Sequence, residues 1–178
     1  MTALGAQEAA VVRAGPLTIT ERVDIALASL AVRRGQDLTA AAKTAAVPLP
    51  GPARYQAGAP YSAFWVTPEM WFVEAPFASH EAIAALLKAA FGDAASITEQ
   101  TDAWVIFDLA APDLALVLER LCNVDFRAAP AGHATRTVID HLGCYLVKLN
   151  PGAARVYGPR SSAQSLLHAV EVAAASAL

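Results

Sequence analysis

The sequence predicts an α+β fold, a largely antiparallel sheet with packed helices, and three stretches carry that prediction. Residues 61–74, Y-S-A-F-W-V-T-P-E-M-W-F-V-E, set two aromatic, β-prone runs on either side of Thr67-Pro68-Glu69, the pattern of a hairpin. Residues 131–157 carry three further β-prone runs, the last two separated by the strong turn signal Asn150-Pro151-Gly152. In residues 155–174, Val156 and Tyr157 end a strand, Gly158-Pro159 breaks it, and Ala163, Leu166, Leu167, Val170 and Ala174 recur on one helical face. A strand meander followed by an amphipathic helix is most economically built as helices on an antiparallel sheet.

The remaining elements follow in order. Residues 1–16 are rich in small residues without periodicity, so residues 1–20 are expected to form a flexible or partner-ordered arm, and residues 21–178 a single domain. Residues 25–33, I-A-L-A-S-L-A-V-R, read as a mostly buried strand. Residues 36–46 read as an alanine-rich helix stopped by Pro48, Pro50 and Pro52, and the proline-glycine run there joins elements of one domain. Ser79 is placed to cap a helix over 80–91 with Ile83, Leu86, Leu87 and Ala90 on its face and Gly92 as its stop. Strands are expected at 94–98 and 103–109. Pro112 then opens a helix with Asp113 at its positive end and Leu114, Val117, Leu118 and Leu121 buried. Ser161 and Gln164 have capping-box spacing ahead of the last helix.

A chain of 178 residues is long enough for a real core. Hydrophobic residues make up 56%, much of it alanine, and no apolar run reaches the roughly 18 residues of a membrane span. Without a basic, apolar leader, the chain is expected to be soluble and cytoplasmic, with no membrane partner. A net charge of -3 gives no footprint for nucleic acid. Only 16% of residues are charged, where a free domain commonly has about 25%, which points to a covered surface. Cys122 and Cys144 cannot build a disulfide framework or a zinc site and are expected to be buried free thiols.

The chemistry-bearing residues form no recognisable active site. His133 and Arg136 lie three apart and suit an anion or a carboxylate, or else a structural ion pair or interface contact. Asp140-His141 are adjacent and on a strand or turn point apart, which is poor geometry for a general base. Cys122 has no neighbouring cation to activate it, and Ser161 and Ser162 lack a nucleophile elbow. Neither dinucleotide nor P-loop glycine motifs occur. Arg136, Arg155 and Arg160 are scattered, as surface or interface arginines are. Trp65 and Trp71 could stack on a flat ligand such as a pterin, but strand tryptophans usually serve as core or interface anchors.

Several of these residues also carry a family resemblance. The run Arg160, Ser161, Ser162, Ala163, Gln164, Ser165, Leu166, opening a C-terminal helix, resembles the end of the gamma subunit of heterotetrameric sarcosine oxidase. The stretch from Trp65 to Trp71 is similar to the Trp-x-Gly-Pro-x-x-Trp segment of that family and of folds related to glycine-cleavage aminomethyltransferase, with Thr67 in place of the glycine. The order of strand, Ala111-Pro112, helix and Cys122-Asn123-Val124-Asp125 resembles the family's strand, Gly-Pro, helix and Cys-x-x-Asp-like stretch, with Ala111 for Gly. Gly132 to Thr137 resembles its Gly-x-x-x-Arg-Thr motif.

The resemblance implies a fold like the folate-binding domain of aminomethyltransferase. It also implies a non-catalytic assembly subunit of a complex that oxidatively demethylates sarcosine to glycine, with hydrogen peroxide as product and one-carbon transfer to tetrahydrofolate. FAD, FMN, NAD, tetrahydrofolate and zinc are then expected on partner subunits, none on this chain. The alpha subunit is the direct partner, with beta and delta in the same complex. Trp65, Trp71, His133, Arg136, Arg160 and Leu166 are the candidate interface or structural residues, with no catalytic, cofactor or metal residue assigned. Two rivals remain: a folate-binding one-carbon-transfer protein, and the equivalent subunit of an oxidase for another N-methyl amino acid.

Overall fold

The computed structural model of the chain describes residues 2–177, and the fold is α+β with two antiparallel sheets. In chain order the elements are β1 (Val11–Ala14), β2 (Leu17–Glu21), β3 (Ile25–Val32), α1 (Thr39–Thr44), β4 (Tyr55–Gln56), β5 (Ser62–Thr67) and β6 (Met70–Pro76). There follow α2 (Phe77–His80), α3 (Ile83–Phe91), β7 (Ala95–Glu99), β8 (Trp104–Ala110), α4 (Leu114–Leu121), β9 (Ala134–Ile139), β10 (Leu142–Asn150), β11 (Ala153–Pro159) and α5 (Ala163–Ala177). Instead of the single domain expected from residue 21, the chain divides into two compact units, one spanning Asp24–Asp102 and the other built from the chain before Asp24 and from Ala103 onward. Strand pairing is the reason. β3 pairs with β6 and β7, whereas β2 pairs with β8, more than eighty positions later.

The Asp24–Asp102 unit is a five-stranded sheet in the order β4-β5-β6-β3-β7. Alternate residues of β3, β5 and β6 (Ala26, Ala28, Leu30, Ala63, Val73 and Ala75) pack with Ile83, Leu87 and Phe91 of α3 and with Leu38, Ala42 and Val47. Small alanines on the sheet let the helix approach closely, as core packing at crystal-like density requires. The predicted face of this helix is rotated: Leu86 is 43% exposed and Ala90 exposed, because the buried side chains repeat at i, i+4, i+8. Ser79 does not cap α3. It belongs to the preceding short turn of helix, where its hydroxyl donates to Pro76 O at 3.4 Å. The expected hairpin forms, with Trp65 directly opposite Trp71 and the reversal made by Pro68-Glu69, Glu69 at φ 63°.

The second unit is a six-stranded sheet in the order β1-β2-β8-β11-β10-β9, with α4 and α5 packed on one face. All five apolar residues expected on the last helix are buried: Ala163, Leu166, Leu167, Val170 and Ala174. They meet Val105, Phe107, Leu109, Leu146 and Val156 of the sheet and Leu114, Val117 and Leu118 of α4. Burial of each such aliphatic contributes roughly 1.5–3 kcal/mol, which is what holds a helix onto a sheet. Leu166 sits so close that a Cβ on Gly158 would lie 2.4 Å from its Cδ2, so the absence of a side chain at 158 makes room for it. The capping box does not form. Residues Arg160–Ser162 make a 3-10 turn in which Ala163 N donates to Arg160 O, and Gln164 Nε2 instead donates to Leu4 O at 3.1 Å.

The residues expected as an N-terminal arm are tied into this unit. β1 and β2 form a hairpin whose two-residue turn uses Gly15 at φ 58°, a left-handed conformation that glycine adopts without strain. Glu21, 3% exposed, closes the segment: its Oε1 accepts Ala3 N at 2.8 Å and Leu4 N at 3.3 Å, and its Oε2 accepts Ala10 N at 3.1 Å. Backbone donors around an ionised carboxylate make charge-assisted bonds, about twice as strong as neutral ones. Residues 1 and 178 lie outside the described residues. Among the described residues no helix is long and apolar enough to cross a membrane.

Candidate functional site

Of the sequence candidates, His133 and Arg136 border one groove, with the Arg136 guanidinium reaching along β9 toward Gly143 on the sheet face away from Thr137. Both line a groove of about 500 Å³ in the six-stranded unit, between the loop that follows α4 and the start of β9. The groove wall is firmly held. Lys148, 6% exposed on β10, turns its ammonium inward, where it donates to Phe126 O at 2.6 Å and Ala129 O at 2.7 Å and lies 4.6 Å from the Phe126 ring centre. Lys148 also binds the loop end through its backbone, since Gly132 N donates to its carbonyl and its own N–H to His133 O, each at 2.8 Å. Asn123 Oδ1 accepts the Thr137 hydroxyl at 3.3 Å, and an Asp125 carboxylate oxygen accepts Ala128 N at 3.0 Å.

The other candidates lie elsewhere. Trp65 and Trp71 are half-buried in the five-stranded unit, and Trp71 Nε1 donates to Pro50 O at 2.8 Å, which fixes the ring as an anchor. Arg160 is half-buried in the turn before α5, its backbone N–H bonded to Ala103 O at 3.0 Å. Leu166 is fully buried in the core. Arg155 is not a scattered surface arginine: directly across from Asp108 in the β11–β8 register, it grips that carboxylate with Nε at 2.7 Å and Nη2 at 2.9 Å, and Arg22 bonds the same acid. Planar guanidinium and carboxylate match in this bidentate form.

Neither the hairpin turn residues nor the thiols form a reactive group. Asp140 and His141 make the two-residue turn between β9 and β10, at φ 47° and 68°, and are exposed. Cys144 is fully buried, and burial pushes its thiol up to about 11, so the nucleophilic thiolate is suppressed at neutral pH. Cys122, expected to be buried, is half-buried, its Sγ 3.6 Å from Leu118 O; both cysteines are free. Among the described residues no group of three or more His, Cys, Asp or Glu side chains could hold a metal ion.

Glu21, Asp108 and Lys148 were missed as organising residues by sequence reasoning. Their common signal was present all the same: each is a charge set in an otherwise apolar or alternating strand run, L-T-I-T-E, W-V-I-F-D-L and C-Y-L-V-K-L. A charge at such a place is buried only with partners.

No protein-family model matches the chain, and no curated protein matches it. Solved structures do. A chain of the heterotetrameric sarcosine oxidase from Corynebacterium sp. U-96, determined in complex with pyrrole 2-carboxylate, superposes with a TM-score of 0.80 at 21% identity, over 93% of this chain and 87% of that one. Glycine cleavage system aminomethyltransferase T from Bartonella henselae superposes with a TM-score of 0.60 at 12% identity, over 84% of this chain but only 44% of that one. This chain thus spans less than half the length of the aminomethyltransferase. Its α+β fold of two antiparallel sheets is the fold of that sarcosine oxidase chain, and it is shared in part with aminomethyltransferase T.

Proposed function

We propose that the chain is a structural and assembly subunit of a multi-subunit oxidase of the sarcosine oxidase type. The observation that carries this reading is the fold match, near full length on both sides, to a chain of a heterotetrameric sarcosine oxidase. The work done by the polar groups supports a non-catalytic role. Glu21, Lys148 and the Arg155–Asp108 pair are engaged in holding backbone and strands, and Cys144 is buried and protonated. In this reading the complex oxidatively demethylates sarcosine to glycine, with release of hydrogen peroxide and one-carbon transfer to tetrahydrofolate. The flavins, nicotinamide, folate and zinc are carried by the alpha, beta and delta partners, and this chain contacts the alpha subunit.

The test is affinity purification of the tagged chain from cells expressing its neighbouring genes. The expected result is a co-purifying large flavoprotein, with sarcosine-dependent peroxide production by the complex and none by the chain alone. Recovery of a lone monomer under the same conditions, or sarcosine turnover by the isolated chain, would overturn the reading. The partial likeness to aminomethyltransferase T supports a second reading, a folate-binding one-carbon-transfer protein. Calorimetric titration of the isolated chain with tetrahydrofolate separates the two, since tight 1:1 binding belongs only to the second.

A further inference from the structure

Among the described residues the two sheets end on four edge strands, of which β4 has two residues, β1 four, β7 five and β9 six. The longest, β9, keeps an unbroken register with β10 from Ala134↔Val147 to Ile139↔Leu142, with no proline and no bulge to blunt the edge. The phase of its hydrogen bonds is fixed at both ends. His133 O accepts Lys148 N at 2.8 Å, and the two-residue turn Asp140-His141 closes on the pair Ile139 and Leu142. Bonding to β10 therefore falls on the odd-numbered positions, and the backbone N–H and C=O groups of Arg136 and Val138 point to the open edge. Among the described residues neither N–H has an acceptor, and the Arg136 carbonyl takes only the Thr135 hydroxyl, at 3.3 Å. The side chains add an apolar and a charged contact. Thr137 and Ile139 are buried on the helix side, so Arg136 and Val138 stand on the opposite face, where Val138 is 58% exposed. The Arg136 guanidinium lies over Gly143 and, among the described residues, has no acid within ion-pair distance.

We propose that the open edge of β9 takes up an extended strand of a different chain, which continues the six-stranded sheet and carries a β-branched residue beside Val138 and a carboxylate opposite Arg136. Strand addition draws its affinity from main-chain hydrogen bonds and its specificity from alternate side chains. The acid is called for because opposite charges across a strand pair attract and like charges repel. The same rule sets a second copy of β9 aside. Antiparallel self-pairing centred on Arg136 brings two guanidinium groups face to face, and centred on Thr137 it sets Arg136 against Val138. Centred on Val138 it sets Arg136 against Asp140, which stands in a left-handed turn at φ 47° and outside the strand. A foreign strand that supplies its acid in strand geometry meets the backbone, the valine and the arginine together. This inference rests on the assembly reading above and names the surface by which such a subunit is held.

The test compares the wild type with Val138→Pro and Arg136→Glu, each tagged and co-expressed with the neighbouring genes. Val138→Pro removes an N–H that the chain itself leaves unused, at the kind of edge position where proline is tolerated. The wild type is expected to retain a large flavoprotein and either variant to retain at least about tenfold less, while the free variants keep the wild-type circular dichroism spectrum. Hydrogen exchange read by mass spectrometry with fragmentation to single residues needs no variant. The Arg136 and Val138 amides should exchange fast in the free chain and slowly in the complex, with Thr135 and Thr137 protected in both. A complex that forms equally well with both variants, or edge amides that stay unprotected within it, overturns strand addition and leaves the assembly reading standing. A wild-type dimer that Val138→Pro dissolves overturns it in favour of a second copy. Failure of the wild type to retain any flavoprotein overturns both.

Discussion

The two units hold the same kind of layer, an antiparallel sheet under helices, by different means. In the Asp24–Asp102 unit the chain is contiguous, and packing does most of the work: alanines and aliphatics of β3, β5 and β6 meet Ile83, Leu87 and Phe91, and its buried acid, Glu74, sits within a central strand. The other unit is assembled from two stretches far apart in sequence. There, charged side chains are buried where distant segments must be joined. Glu21 holds the segment from Ala3 to Ala10, Lys148 holds the loop after α4, and Asp108 links β8 to β11 and to Arg22. Apolar packing is strong but has no direction, whereas a charged hydrogen bond fixes which atoms meet. The difference teaches that burying a charge is worth its desolvation where the chain itself does not enforce a register.

Mutations can break or sharpen this contrast. The largest effect is expected from Leu166→Asp, which sets an unpaired carboxylate among Gly158 and the sheet core of the discontinuous unit. A loss of about 4 kcal/mol or more should appear as insoluble or unfolded protein on expression, and normal solubility with an unchanged urea midpoint would refute the placement of that helix face. Next is Lys148→Met, which keeps the stem but leaves the Phe126 and Ala129 carbonyls without their donor. It should cost about 2–4 kcal/mol in urea denaturation and raise amide exchange in residues 123–133. The smallest is Trp71→Phe in the contiguous unit, where one bond to Pro50 O is lost from an apolar setting; about 1 kcal/mol is expected. If Trp71→Phe proved as costly as Lys148→Met, the distinction between a packed unit and a stapled one would fall.

Much of the fold could be read from local pattern. The face of the last helix, the tryptophan hairpin, the Asn150-Pro151-Gly152 turn and the buried β3 all follow from spacing and turn chemistry among neighbouring residues. What escaped is non-local. Residues 1–20 read as an arm because the small residues at their start show no periodicity, and the bonds that order the segment come from Glu21, to Ala3 N, and from Gln164, which reaches Leu4 O across 160 positions. The capping-box spacing of Ser161 and Gln164 misled for the same reason, since Gln164 found a distant carbonyl. The nearness of His133 and Arg136 in the chain was legible as three-residue spacing. Their shared groove was not, because its other wall, Asn123 to Pro130, is placed by Lys148 from a strand that follows both.

The pairing of β2 with β8 also sets an order of events during translation. Arg22 N–H finds its acceptor, Ile106 O at 2.8 Å, only after the whole intervening stretch has left the ribosome. A nascent chain that has just released Asp102 therefore holds every strand of the five-stranded sheet, while β1 and β2 have no neighbour to extend them. The fifteen-residue α5 follows every strand of the sheet it covers, so the apolar side of the six-stranded sheet is without that cover until the helix itself has emerged, and that interval is when a chaperone or a waiting partner would have most to shield.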